Sequence, residues 1–211
     1  MKKRGLVGLL AAIVATAVAA QELKPMILPA PQTDGGRPMM QALKERKSTR
    51  EFSGEKLSVQ VLANLLWAGF GVNRPDGRRT APSAMNWQEI EIYVVMADGT
   101  YVYDAAKNRL ELVAKEDLRS LAGTQSYVAT APVNLVYVAD LAKVTGDAEG
   151  RELYTAADTG FIAQNVYLYC ASEGLATVVR GSVDREALGK ALRLKATQKI
   201  VLAQSVGYPK K

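Results

Sequence analysis

A continuous apolar run lies in the second half of the chain: Pro132-Val133-Asn134-Leu135-Val136-Tyr137-Val138-Ala139. Chain-breaking residues bound this run, and its length fits one strand covered on both faces, so it predicts a central buried strand. Upstream, apolar residues alternate with their neighbours from Glu89 to Met96, which predicts a second strand. These two runs are the clearest strand signals in the sequence.

Further strands are predicted on either side of these two. Tyr101 to Tyr103 and Leu110 to Val113 are short runs joined by the turn from Asp104 to Arg109, which is typical of a hairpin. Thr177 to Arg180 and Lys199 to Val206 also have strand character.

Helical segments separate and surround these strands. Helices are predicted over Met39 to Arg46, from an N-cap at Ser58 to Gly69 and Gly71, around Glu116 to Ala122, over Arg151 to Glu173 and over Arg185 to Leu192. Gly174 is expected to end the longest of them in the left-handed C′ role. Helices clustered around a mixed, mostly antiparallel sheet indicate an α+β fold rather than a regular doubly wound one.

Residues 1–20 have the pattern of a secretory signal peptide. Three cations at positions 2–4 precede an apolar run over residues 6–18, and cleavage is expected after Ala19 or Ala20. The apolar run is short of the ~20 residues that span a bilayer, so we expect no stable membrane anchor. The pattern therefore predicts Sec-type export to the periplasm or the medium.

The rest of the chain divides into two parts. Residues 21–37 are rich in Pro and Gly and are expected to be an extended lead-in, while residues 38–211 can form one domain with its own core. Loss of the three signal-segment cations lowers the formal charge from +6 to +3. Such a mildly basic domain gives no support for nucleic-acid binding.

The composition excludes several kinds of catalytic site. The chain has no histidine, which rules out Ser-His-Asp and Cys-His mechanisms and any two-histidine metal site. Cys170 is the only cysteine and lies in an apolar helical run, so we expect a buried structural thiol. If the protein is an enzyme, a bound cofactor is expected to carry the difficult chemistry.

A basic segment follows the first predicted helix: Arg46-Lys47-Ser48-Thr49-Arg50-Glu51-Phe52. Guanidinium groups grip phosphate oxygens through paired N–H bonds, lysine adds a point charge, and a hydroxyl donates a short hydrogen bond. The segment therefore suits a phosphate group. Taken alone, it is more typical of a solvated basic helix end.

A second candidate segment is Pro82-Ser83-Ala84-Met85-Asn86-Trp87-Gln88, which closes a turn-rich loop. The Asn86 and Gln88 amides both donate and accept hydrogen bonds, and such groups suit the edge of a flavin ring. Taken alone, the segment also fits a helix-capping turn.

With these motifs in order, the chain resembles the nitroreductase family of FMN-dependent oxidoreductases. Four segments carry the resemblance: Arg46 to Arg50, Pro82 to Asn86, the helix pattern Asp158-Thr159-Gly160 with Gln164-Asn165, Leu168 and Gly174-Leu175, and Arg180-Gly181. The tail Gly207-Tyr208-Pro209-Lys210-Lys211 is also similar to the family's tail. The resemblance covers the chain from about Arg37 to its end.

The resemblance implies a set of FMN ligands. Arg46, Ser48 and Arg50 would bind the phosphate and ribityl chain, with Lys47 adjacent and Lys210 or Lys211 completing the phosphate site. The segment from Pro82 to Gln88 would hold the flavin, with Asn86 on the pyrimidine edge and the Ser83 and Ala84 backbone along the ring. The Gly181 N–H would face flavin N5.

Arg180 departs from branches of the family that carry Glu before the N5-facing glycine. A cation beside the ring would favour the anionic reduced flavin and raise its potential. The resemblance also implies a homodimer with FMN at the subunit interface. The small residues expected at that interface are Ala156, Ala157, Gly160 and Ala163.

The resemblance implies ping-pong chemistry, in which a small-molecule donor reduces the flavin and a flat electrophile such as a nitroaromatic or quinone is then reduced. The rivals are an oxidase or dehydrogenase of a ring or peptide substrate, a flavin-binding electron carrier, and a solute-binding protein without flavin. Export leaves the electron donor open, because NADH and NADPH are scarce outside the cytoplasm.

Overall fold

The computed structural model describes residues 24–211, and the expected signal peptide lies outside them. The strands are β1 Met26–Ile27, β2 Ile90–Met96, β3 Gly99–Asp104, β4 Arg109–Ala114, β5 Val133–Asp140, β6 Ala176–Arg180 and β7 Gln198–Gly207. The helices are α1 Met39–Glu45, α2 Val59–Phe70, α3 Ala148–Glu173 and α4 Arg185–Ala191.

The strands form one antiparallel sheet in the order β1-β4-β3-β2-β5-β7-β6. β5 lies between β2 and β7, and every residue from Val133 to Ala139 is at most 1% exposed. The central strand and the α+β class predicted from the sequence are therefore confirmed. The hairpin of β3 and β4 is confirmed as well.

Alternation along the strands divides the interior into two layers. Leu135 and Tyr137 face the layer that contains α2 and α3, whereas Val136 and Val138 face a second layer with Leu188 of α4. One sheet thus has a covered core on each face, which explains why β5 reads as an unbroken apolar run.

Local signals set most of the helix ends. Ser58 accepts a hydrogen bond from the Val61 N–H, which confirms it as the N-cap of α2. Gly174 ends α3 with a φ of 70°, as expected for a left-handed C′ position. α3 begins three residues earlier than predicted, because the Asp147 carboxylate caps it by accepting from the Gly150 N–H.

The helix predicted around Glu116 to Ala122 is only a 3₁₀ turn at Arg119–Leu121. The Asp117 carboxylate accepts from the Arg119 N–H and also pairs with its guanidinium. This local side-chain bonding competes with helix formation.

The carboxyl-terminal tail returns to the basic segment. Phe52 and Pro209 form an antiparallel bridge, and the Lys210 N–H donates to the Glu51 carbonyl at 3.2 Å. The Ser53 N–H donates to the Tyr208 carbonyl at 3.0 Å. The expected proximity of the tail to the basic segment is therefore present.

Within the described residues, no helix has the length and apolar character needed to cross a bilayer.

Candidate functional site

The basic segment lies between β6 and the tail. Arg46 directly follows α1, and the Thr49 N–H donates to the Thr177 carbonyl of β6 at 2.9 Å. Three residues further on, Phe52 bridges to Pro209. Both ends of the segment are thus fixed by main-chain bonds while Lys47, Ser48 and Arg50 remain exposed.

Tyr167 of α3 organises the centre of this segment. Its hydroxyl accepts a hydrogen bond from the Val179 N–H at 2.9 Å and shares another with Ser48 Oγ at 2.8 Å. The Arg46 guanidinium lies over its ring, 5.2 Å from the centroid, in cation–π geometry. Tyr167 therefore joins α3, β6 and the basic segment. The sequence reading missed it, because an aromatic residue in an apolar helix carries no signal of such a role.

The charges of this region fit an anion. A groove of about 730 Å³ is lined by five cations, Arg37, Lys44, Arg46, Lys47 and Lys210, and by Glu45, which pairs with Arg37. Among the ion pairs of residues 24–211, none involves Arg46, Lys47, Arg50 or Lys210. A group of cations without carboxylate partners, beside a serine hydroxyl, matches the donor set of a phosphate site.

The second candidate segment is a strained loop beside α3. It contains a 3₁₀ turn at Ala84–Asn86, and its left-handed residues are Met85 (φ 49°), Asn86 (φ 56°) and Gln88 (φ 48°). The Ala84 N–H donates to Asp158 Oδ2 at 2.8 Å. Consecutive left-handed residues other than glycine persist only when their surroundings fix them, and such strain is concentrated at functional sites.

Gln88 differs from the expectation that it presents a free amide. Its Oε1 accepts from Arg79 Nε at 2.8 Å, and its Nε2 donates to the Gly77 carbonyl and to Asn86 Oδ1. The Gln88 amide is therefore fully used inside the loop. It shapes the loop, whereas Asn86 stays exposed and can still donate through Nδ2.

Pro82 and Ser83 contribute to the loop in different ways. Pro82 is exposed and has no N–H to donate. Ser83 Oγ accepts from the Gln88 N–H at 2.9 Å and donates to Glu89 Oε2 at 3.2 Å. Of this loop, the groups free to meet a ligand are the Asn86 side chain and the surface of the turn.

The Arg180 side chain is bonded inside the protein. Its guanidinium donates to Ser205 Oγ at 2.8 Å, to the Ala122 carbonyl at 2.8 Å and to Asn134 Oδ1 at 2.9 Å. The residue is only 6% exposed, and burial lowers the pKa of the guanidinium to about 10. Thr177 on the same strand bonds Gln204 on the α3 side, so alternation directs Arg180 to the opposite face. The guanidinium is thus engaged inside the protein, and a cation beside a flavin stays a prediction.

Gly181 directly follows β6 and is exposed. A Cβ built there would meet only the Leu202 side chain, at 3.8 Å, so packing alone does not demand a glycine. Because β6 also bonds Thr49 and Tyr167, the Gly181 backbone and the basic segment belong to one unit. The loop that carries Asn86 is bonded to α3 at Asp158. Asp158 lies nine residues before Tyr167, so the two side chains are separated by ~13 Å along the helix axis.

Two buried carboxyl groups lie beneath the loop, and sequence reasoning missed them as a pair. Glu89 is 0% exposed and Asp158 is 2% exposed. Burial, together with the nearby Asp158 carboxyl, raises the pKa of the Glu89 carboxyl. Residues 24–211 contain no cluster of acidic, cysteine and histidine side chains suited to a metal ion.

Cys170 is 1% exposed, which confirms it as a buried residue. Burial raises the pKa of its thiol, which opposes any nucleophilic role.

An apolar face accompanies the loop and the first half of α3. Its exposed members are Met85 (82%), Leu153 (63%), Tyr154 (48%) and Phe161 (47%). Gly160 on this face is exposed, and a Cβ there would meet nothing within 4 Å. Ala163, in contrast, is buried inside the chain. We call Met85, Leu153, Tyr154, Gly160 and Phe161 the α3 face.

Fold and site together define an α+β protein with a cationic segment beside an edge strand and a strained loop next to its longest helix. The profile of the Nitroreductase family matches residues 43–208. The chain therefore belongs to the nitroreductase family and is an oxidoreductase by that membership, as the resemblance implied.

Individual relatives agree with this assignment. A nitroreductase-family protein of Methanocaldococcus jannaschii is 32% identical over 164 residues, which is 72% of this chain and 82% of the relative. The crystal structure of a nitroreductase-family protein from Ralstonia eutropha matches with a TM-score of 0.85 and 41% identity, covering 92% of this chain and 93% of that one. The NADPH:FMN oxidoreductase of Vibrio harveyi, complexed with NAD⁺, shares the fold at a TM-score of 0.63 and 22% identity, covering 82% and 69%.

Proposed function

We propose that this protein is an exported FMN-dependent oxidoreductase that reduces flat electrophiles, such as nitroaromatics or quinones, by ping-pong turnover. The observation that carries the proposal is the set of unpaired cations around Ser48 and Tyr167 in a chain of the nitroreductase family. The protein from Vibrio harveyi that shares this fold is an NADPH:FMN oxidoreductase, which supports the choice of flavin.

The chain's residues would divide the work of holding the cofactor. Arg46, Lys47, Ser48 and Arg50 would bind the phosphate end, with Lys210 or Lys211 adding charge from the tail. Asn86 would bond the ring edge through its free Nδ2. When bound, FMN supplies the hydride and electron transfer through ring atom N5.

Gly181 would act through its backbone. An exposed N–H at the end of β6 can donate to a ring nitrogen, and the absence of a side chain leaves room for a flat substrate above the ring. Arg180 beneath it would fix the end of β6 rather than tune the ring directly, because its guanidinium bonds Asn134, Ser205 and Ala122.

A homodimer is part of the proposal. The α3 face exposes large apolar side chains around Gly160, and exposed apolar patches of this kind mark association surfaces on soluble proteins. The neighbouring loop carries Asn86, so a partner docked on this face would also border the proposed flavin site.

Export rests on the composition of residues 1–20 alone. Outside the cytoplasm the electron donor would be a reductant other than free NADH or NADPH. In ping-pong turnover this donor and the acceptor would use the same site in turn. We propose a small-molecule donor of this kind.

The phosphate assignment is tested by titrating the apoprotein with FMN. We expect R46A/R50A to weaken FMN binding by at least 100-fold, while K190A/K195A, which removes two exposed cations near α4, leaves it unchanged. Equal FMN affinity in R46A/R50A and the wild type would refute the phosphate assignment.

Turnover is tested by reducing the FMN-loaded protein anaerobically and mixing it with single acceptors. Stoichiometric reoxidation by a quinone or nitroaromatic would support the reductase. Failure of a broad acceptor panel would favour an electron carrier, and reoxidation by oxygen alone would favour an oxidase.

A further inference from the structure

Glu89 and Asp158 are buried carboxyl groups that the proposed chemistry leaves without a role. Glu89 is the first residue after the Pro82 to Gln88 loop and directly precedes β2. Asp158 projects from α3 and holds the loop through the Ala84 N–H. The two groups therefore meet where the strained loop joins the scaffold.

If both groups were ionised carboxylates, one buried oxygen of the pair would lack a hydrogen bond. Glu89 Oε2 accepts from Ser83 Oγ, but Glu89 Oε1 is buried and has no donor within the described residues. The Asp158 carboxyl lies beside Glu89, because the adjacent loop residues Ser83 and Ala84 bond Glu89 Oε2 and Asp158 Oδ2 respectively. No lysine or arginine of residues 24–211 forms an ion pair with either group.

Two adjacent, buried negative charges without a cation are strongly disfavoured. One proton on Glu89, donated to Asp158, removes the repulsion and satisfies the orphaned oxygen at once. Asp158 is held in place to accept that proton, because its Oδ2 is already fixed by the Ala84 N–H at 2.8 Å.

We propose that Glu89 is a carboxylic acid in the folded protein, that it shares its proton with Asp158, and that this pair positions the loop that carries Asn86. The relevance of the loop to FMN rests on the proposed function, whereas the shared proton does not. Both residues are positioning residues, since they act through Ser83 and Ala84.

The charged groups around the pair are few. The segments packed around Glu89 carry four charged residues: Asp158 on α3, Glu91 on β2, Asp140 at the end of β5, and Arg79 in the turn that precedes the loop. Glu91 is engaged by Lys143 and Gln198, and Arg79 by Gln88. Of these groups, Asp158 is the one that raises the pKa of Glu89 beyond the effect of burial.

The sign of the pH effect follows from the raised pKa. An unfolded glutamate titrates near ~4.3, so between that value and the higher folded pKa the folded state holds one extra proton. Stability from this group is complete at low pH and is lost as pH rises through the folded pKa. A glutamine at position 89 keeps the shape and the donor to Asp158 but has no proton to lose.

The first experiment compares the wild type with E89Q and with the control E91Q, whose residue lies two positions along the same strand and is ion-paired. In the infrared spectrum of the folded apoprotein, we expect a protonated-carboxyl C=O band that persists above ~4.3, the pH at which an unfolded glutamate ionises, vanishes in E89Q and remains in E91Q. The melting temperature of E89Q, measured relative to that of the wild type, should increase as the pH is raised from ~5 to ~8. Absence of the band, or parallel pH profiles for wild type and E89Q, would overturn the shared proton.

The second experiment tests positioning by FMN titration. We expect D158A to lose at least tenfold in affinity, because it frees the Ala84 N–H, while D158N, which retains an acceptor and donates to Glu89, stays within about threefold of wild type. Wild-type affinity in folded D158A would overturn the positioning role. A wild-type protein that ignores FMN would refute the proposed function and leave the infrared result standing.

Discussion

At the residue scale, Arg180 shows how a charged side chain can be structural. Its three acceptors come from three places: Asn134 of β5, Ser205 of β7 and the Ala122 carbonyl. Ser205 Oγ also donates to Asn134 Oδ1 at 2.6 Å, so the guanidinium completes a connected polar network under the sheet. Bonded networks of this kind stabilise one arrangement of the core, although Arg180 Nε is buried and has no partner within residues 24–211.

Replacement of Arg180 by methionine is expected to lower the free energy of unfolding by roughly 3 kcal/mol, because buried acceptors lose a charged donor. The free energy of unfolding of R180K should lie between those of R180M and the wild type, since an ammonium group cannot reach all three acceptors as the planar guanidinium does. Urea denaturation monitored by tryptophan fluorescence measures both. Equal stabilities of R180M and the wild type would contradict the network.

Tyr167 gives a second prediction at this scale. Y167F removes the hydroxyl that joins Ser48 Oγ to the Val179 N–H but keeps the ring under Arg46. We expect FMN affinity to fall about tenfold through a less ordered basic segment, with little change in secondary structure. Y169F is a suitable control, because that hydroxyl makes only a long 3.4 Å bond to the Val61 carbonyl.

At the element scale, α3 is the common support of both candidate segments. It holds the loop through Asp158 and the basic segment through Tyr167, and its ends are fixed by Asp147 and Gly174. A single rigid helix therefore sets the distance between the proposed ring-edge and phosphate groups.

D147A removes the side-chain acceptor at the first turn of α3 and should cost about 1 kcal/mol of unfolding free energy. D147S should recover most of this loss, since serine also caps helices well. Thermal or urea unfolding checks both variants. A D147A protein as stable as the wild type would mean that the first turn does not contribute to folding stability.

The same scale shows what the sequence could predict. Alternation and apolar runs gave β2, β5 and the hairpin, and local caps gave Ser58 and Gly174, because these signals lie within a few residues. The role of Gln88 was misjudged, since its partners Arg79 and Gly77 depend on how the loop folds back. Tyr167 and the Glu89–Asp158 pair could not be predicted, because their roles depend on long-range contacts, such as Ser48 with Tyr167 across 119 positions and Ala84 with Asp158 across 74.

At the scale of the whole molecule, the α3 face is an apolar surface that residues 24–211 leave uncovered. We expect the protein to sediment as a dimer and F161E to shift it to monomer, because a charge there opposes burial. V59E is the matched control, as Val59 of α2 is 46% exposed against 47% for Phe161. A dimer in F161E, or a monomer in V59E, would argue for another interface.

The bridge between Phe52 and Pro209 couples distant parts of the chain. The proposed phosphate site is assembled from a segment near residue 50, a helix, an edge strand and the tail, so no single fragment of the sequence contains it. A ligand that binds only this assembled form stabilises the native state as a whole, by mass action. Protection against heat by FMN, or by inorganic phosphate alone, would then report cooperative folding of the entire domain rather than the ordering of one loop.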